Sequence, residues 1–393
     1  MKDHAEKNSR TISRRNFIAA AAMLPALGRE LMANNDNEFT LYAGTYTSGR
    51  SKNKGIYMLK FDARTGVLSA PMLAVVSEEP SFLAVSRNGK YLYSANETLE
   101  FEGKDSGFVS AFAVQPDGTL KFLNRQASGG AAPCHLTITD KGDLVLVANY
   151  LGGNVAAFPV NDDGTLEPAS DIKQHTGKGT NPDRQEAPHC HSVILDKANR
   201  YAVVDDLGID RVTTYAVDRK KGTLTAVGEG YAAKPGSGPR HFKFHPNGKL
   251  AVVNFELNMT VTSLAYDART GVLAEIQTLS TLPEGYKGKN LSVADLHVSH
   301  DGRFLYVSTR GHDSIASYAI DEKTGMMTPI ECVKTGGIAP RNFALDPTGN
   351  FLLAANQNSS TVTIFRIDRK TGKLTPMPNT TAVPSPVCLI FAQ

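Results

Sequence analysis

The heptapeptide DARTGVL stands at Asp62–Leu68 and again, letter for letter, at Asp267–Leu273. It is the clearest pair in a longer series. A Gly, any residue, then Leu or Met recurs at Gly66, Gly118, Gly164, Gly222, Gly271, Gly325 and Gly372, roughly 50 residues apart. Asp, Thr or Lys precedes each Gly, which is the chemistry of a tight hairpin with a strand starting directly after it. A second series of turns is interleaved: Asn88-Gly89, Lys141-Gly142, Ala198-Asn199, Asn247-Gly248, Asp301-Gly302 and Thr348-Gly349. Each precedes a short buried or alternating strand, such as DLVLVANY (143–150) or NFLLAANQ (350–357). One unit therefore reads as four short antiparallel strands, the pattern of a propeller blade.

Seven such units fit the chain, and its ends agree with that number. LYAGTYTS (Leu41–Ser48) looks like a second strand without an innermost one. SPVCLIFAQ (Ser385–Gln393) looks like an innermost strand without successors. The predicted fold is all-β: a seven-bladed β-propeller of four-stranded antiparallel blades, closed by the C-terminal strand joining the N-terminal blade. Closure of this kind leaves no free sheet edge in the ring. DARTGVL is then an outer hairpin of blades 1 and 5.

The 393 residues carry a net charge of +3 and are 41% apolar. A charge that small gives no dense Lys/Arg surface, which argues against a nucleic-acid or polybasic membrane partner. Cys134, Cys190, Cys332 and Cys388 include no CxxC unit and read as unpaired strand cysteines. SRRNFIAAAAMLPALG (Ser13–Gly28) sets an arginine pair before a charge-free run too short to span a bilayer. It resembles a twin-arginine export signal. Residues 1–34 are expected to be a signal peptide and short linker, and 35–393 the propeller. The expected location is periplasmic or extracellular, with no membrane integration after the signal is removed.

In a propeller, the start of each innermost strand and the end of each second strand share one mouth of the central channel. Those places are unusually polar here. PHCHSV, GPRHF, ADLHV and APRNF begin innermost strands and offer His189, His191, Arg240, His297, Arg341 and Asn342. Ends of second strands offer Asp206, Glu256, Arg310 and Gln357. Isolated charge near the axis needs a partner or a ligand. The arginines could pair internally with Glu256 and Asp206. His189 and His191 form an HxH pair that could ligate a metal, but no third ligand is evident, so neither metal nor cofactor is assigned. His245 and His300 fall in turns and are expected to be solvated. No GxSxG elbow, P-loop or GxGxxG after a strand is present.

The segments LYAGTYTSGRSKNKGIYMLKFDARTG, NPDRQEAPHCHSV, DDLGIDRV, GPRHFKFHPNGK, FLYVSTRGHDSIASY and APRNFALDPTGNFLLAANQNSSTV resemble the seven-bladed propeller lactonases, the group of non-helical bacterial 6-phosphogluconolactonases and fungal carboxymuconate-lactonizing enzymes. The resemblance runs from about residue 40 to the C-terminus. It implies a hydrolase that opens a small-molecule lactone, nominally a phosphorylated sugar δ-lactone. Carried onto this sequence, it implies His191, Arg240, Glu256 and Arg310 as catalytic residues. His189, Asp206, His297, Arg341, Asn342 and Gln357 are expected to bind substrate. Phe255 and Thr309 stand where the family commonly has Asn. The same arginines would suit a lactonizing cycloisomerase of muconate-type acids, and a non-catalytic binding propeller is the third reading.

Overall fold

The computed structural model describes residues 37–48 and 53–392. They form seven antiparallel sheets, with no α-helix among the described residues. In blades 2 to 7 the chain runs from the innermost strand outward. These innermost strands are Pro80–Val85, Pro133–Ile138, Cys190–Leu195, Pro239–Phe244, Ser292–Val298 and Pro340–Leu345. Blade 7 shows the full pattern, with Phe351–Asn356, Thr361–Ile367 and Leu374–Ala382 following. The outer edges depart from four simple strands in two places. Blade 1 splits its last strand into Val67–Leu68 and Met72–Val76, and blade 4 into Thr223–Ala226 and Tyr231–Ala232.

Blade 1 takes its innermost strand from the other end of the chain. Pro386–Phe391 pairs with Glu38–Thr45, with Leu41 opposite Phe391 and Ala43 opposite Leu389. Twice as many apolar faces as blades must be covered, so each blade is buried on both sides. The core accordingly falls into seven clusters among the described residues, one between each pair of neighbouring blades. The cluster around Phe61, Leu353 and Leu389 joins blade 7 to blade 1 and so closes the ring hydrophobically as well. Ring closure by a strand and a core cluster fixes the channel's width, and hence the distances across its mouth.

The repeated heptapeptide now has a physical reason. Gly66 and Gly271 have φ of +73° and +76°, a region L side chains avoid. Each also lies flat against an aromatic ring from the preceding blade. A Cβ on Gly66 would fall 2.6 Å from Phe351 Cε1, and one on Gly271 2.9 Å from the Tyr201 ring. The turn is both a reversal and a docking surface.

Histidines in the other turn series are latches between blades; His245 is buried rather than solvated, whereas His300 is exposed, as expected. His245 is buried and its Nε2 lies 2.7 Å from the Gly302 carbonyl oxygen, while His300 Nε2 lies 2.9 Å from that of Asp346. Cys134, Cys190 and Cys388 are buried free thiols, whereas Cys332 is partly exposed. The segment 1–34, with its arginine pair, lies outside the described residues.

Candidate active site

Every innermost strand breaks register with its neighbour at the same end of the channel. A bulge sets one extra residue into the ladder and re-aims its side chain. His191, Arg240 and Arg341 occupy these breaks in blades 4, 5 and 7. The residue that follows the second strand supplies the other half of the mouth. In blades 1, 2, 3, 5 and 7 it is Tyr46, Glu97, Tyr150, Glu256 and Gln357, and Arg310 ends the second strand of blade 6. Two local devices, repeated around the ring, thus bring distant segments to one opening.

Glu256 is the hub. Its Oε2 accepts from Arg240 Nε at 2.8 Å and faces Arg310 Nη2 at 3.2 Å. Its Oε1 accepts from Arg184 Nη2 at 2.8 Å. Burial would push the Glu256 carboxyl up, but Arg310, Arg240 and Arg184 outweigh it and hold the group down at about 2. Arg240 is only 1% exposed; its Nη1 donates to the Ala294 carbonyl and lies 3.2 Å from His241 Nε2. Burial lowers Arg310 to about 10, and its Nε has no hydrogen-bond partner among the described residues.

His191 shares this opening. Its ring packs edge-on to Tyr150 at 5.5 Å and to His241 at 5.3 Å, and its Nδ1 lies 3.9 Å from the Cys134 thiol. Burial first, then Arg240, His241, Arg341 and Arg310, pushes the imidazole well below the usual histidine range. It is a neutral ring among guanidinium groups. Arg341 lies over the Tyr46 ring at 5.3 Å and 4.0 Å from Glu97 Oε2, which also accepts from the Tyr46 hydroxyl at 3.0 Å. Beside them a recess of about 630 Å³ is lined by Tyr46, Glu78, Glu79, Glu97 and Gln357 among others.

Other residues expected at the mouth lie elsewhere. Asp206 is fully buried inside blade 4, where its carboxylate accepts from His175 Nδ1 and the backbone N–H of His189, both at 2.7 Å. It ends its strand with the side chain turned away from the axis. His189 precedes the strand, so strand alternation does not align it with His191. It stacks on Tyr150 at 4.5 Å and meets Tyr150 O and Glu186 Oε1, each at 3.0 Å. His297 and Asn342 lie deeper along their strands, around Asp295, lining an axial cavity of about 260 Å³.

Among the described residues, His175, Cys190 and Asp206 are the group whose potential ligand atoms come together. Those atoms already satisfy one another: His175 bridges Asp206 and the Tyr215 hydroxyl, and burial raises the Cys190 thiol well above its usual range. A thiol that resists ionisation is a poor metal ligand.

Four participants escaped the sequence reading. Tyr46, Glu97 and Tyr150 hold the same place in their units as Glu256, so aligning the units strand by strand would have found them. Arg184 comes from the 177–188 loop, which has no counterpart in the repeat; its guanidinium also donates to the Tyr150 hydroxyl at 3.2 Å.

The model of the family described as "Lactonase, 7-bladed beta-propeller" matches residues 40–391. A 6-phosphogluconolactonase of Bacillus subtilis is 41% identical over 351 residues, covering 89% of this chain and 97% of the relative. A 6-phosphogluconolactonase of Formosa agariphila is 36% identical, covering 78% and 86%. The solved structure of a periplasmic gluconolactonase from Pseudomonas aeruginosa superposes with a TM-score of 0.84 at 32% identity, covering 91% of this chain and 99% of that one.

Proposed function

The chain belongs to the seven-bladed β-propeller lactonase family, and on that premise we propose that it hydrolyses a sugar δ-lactone to the aldonic acid at this mouth. The enzyme class is carboxylic ester hydrolase. The observation that carries the reading is the His191 imidazole set at the strand break of this mouth, with Arg240 and Arg310 tied to one carboxylate beside it.

Lactone opening needs an activated water and a home for the oxyanion that forms. His191 takes a proton from water as the oxygen adds to the lactone carbonyl carbon. The carbonyl oxygen gains charge and is received by Arg240 and Arg310. Collapse breaks the bond to the ring oxygen, which takes the proton back from His191. Glu256 has both carboxylate oxygens engaged by guanidinium groups; its task is to aim those groups. Charge-assisted donors of fixed geometry suit both the oxyanion and the carboxylate product.

Glu78, Glu79 and Glu97 around the recess favour hydroxyl groups over a phosphate on the substrate's tail. An export signal at residues 13–28 would fit the same preference, since it would carry the enzyme to the periplasm or beyond. Acid release from glucono-1,5-lactone and its 6-phosphate, followed by pH-stat and corrected for spontaneous opening, tests the reading. Arg240→Ala is expected to lower kcat/KM by about 10²–10³-fold; a wild-type rate would reject the site. Loss of ultraviolet absorbance from a conjugated diacid, with no lactone opening, would instead favour a lactonizing cycloisomerase.

A further inference from the structure

Beneath the arginines a second polar layer crosses the channel, and the hydrolysis above makes no direct use of it. Its centre is Asp295, which is 1% exposed on the innermost strand of blade 6. Oδ1 accepts from His241 Nδ1 at 2.7 Å and from the Leu296 N–H at 2.9 Å. Oδ2 accepts from Asn342 Nδ2 at 2.6 Å, His297 Nε2 at 3.1 Å and the Phe343 N–H at 3.3 Å. A carboxylate held by donors from three blades is a fixed point in the ring.

The direction of these bonds can be deduced. A guanidinium only donates, so His241 Nε2, 3.2 Å from Arg240 Nη1, must present its lone pair. The proton of the neutral ring then sits on Nδ1, where Asp295 receives it. Arg240 is consequently held at three points: Glu256 through Nε, and the Ala294 carbonyl and His241 through Nη1.

We infer that Asp295 and His241 are positioning residues for the reaction. The carboxylate fixes the His241 tautomer, and His241 in turn fixes the guanidinium that meets the developing oxyanion. This rests on the reading of Arg240 given above. The outer-shell logic is that of a ligand oriented by what stands behind it.

The test measures kcat, KM and thermal midpoint on glucono-1,5-lactone for the full chain and for Arg240→Ala, His241→Leu, His241→Gln and Asp295→Asn. His241→Leu is expected to lower kcat by about 10²-fold, the cost of a catalytic group displaced by about an ångström. KM is expected to stay within about threefold, because the loss falls on the transition state. Gln keeps a donor for Asp295 and an acceptor for Arg240, so His241→Gln is expected to recover most of kcat. Asp295→Asn should fall with His241→Leu; if it does not fold, the two His241 variants decide. An inactive Arg240→Ala beside a His241→Leu of wild-type kcat overturns the positioning role alone. So does a His241→Gln as slow as His241→Leu. Wild-type activity in Arg240→Ala overturns the site reading as well.

Discussion

Arg240 Nε donates to Glu256 Oε2 at 2.8 Å, and both side chains are nearly sealed from solvent. A buried pair of this kind does little for net stability by itself, but removing one partner leaves the other charge stranded. Here three guanidinium groups converge on the same carboxylate. Glu256→Gln is therefore expected to destabilise the fold by about 3 kcal/mol and to slow lactone opening as the arginines lose their common anchor. Urea melts and initial rates check this. A variant as stable and as fast as wild type would show that Glu256 anchors nothing.

The pH–rate profile should report His191. Burial and the surrounding arginines hold its imidazole well below the usual range, so the neutral, proton-accepting form persists into mild acid. The expected kcat/KM profile is flat from neutrality down through 6.5, with its acid limb displaced below that value. An acid limb centred at or above 6.5 would mean that a different group, or an imidazole not surrounded by these arginines, controls the rate.

Stability should fall with acid in two stages. His241 is lowered to about 4 by burial and by Arg240. In the unfolded chain it takes up a proton below about 6.5 while the folded ring does not. Stability is therefore lost as pH drops from about 6.5 towards 4. Glu256, held at about 2, contributes stability that is complete above about 4.5 and lost as pH falls towards 2. The thermal midpoint followed from pH 8 downward should hold steady and then decline below about 6.5. Buried Asp205, raised to about 7, works in the opposite direction, so the check is a comparison: a decline between about 6.5 and 4 no smaller in His241→Leu than in the wild type would contradict the assignment of a buried neutral His241.

The hairpin glycines offer a test of the ring's packing. Gly66 and Gly103 share nearly the same φ, +73° and +72°. A Cβ at Gly66 meets the Phe351 ring, whereas one at Gly103 meets nothing within 4 Å. Gly66→Ala should cost about 1–3 kcal/mol more than Gly103→Ala, the usual range for overpacking. Equal costs in equilibrium unfolding would mean that backbone strain alone explains the glycine.

The fold was legible because its information is periodic. Turn glycines and paired strands recur in every unit, and the incomplete units at the two ends can only complete each other. The site was legible where it shares that period: His191, Arg240 and Arg341 occupy one position in three units. It was less so where a strand end can turn either way. Asp206 and Glu256 both stand at the end of a second strand, yet a shift of one residue sends Asp206 into blade 4 and Glu256 to the axis. Arg184 could not be reached by repetition, since it belongs to an irregular loop and meets Glu256 only in space.

One rate comparison bears most directly on the chemistry assigned to the channel mouth. Glucono-1,5-lactone opening is followed by pH-stat at neutral pH for the wild type and for His191→Ala, with thermal melts establishing that both are folded. Loss of the proton acceptor should lower kcat by about 10²–10⁴-fold while the melting temperature stays close to wild type. A folded His191→Ala that opens the lactone at the wild-type rate would contradict it.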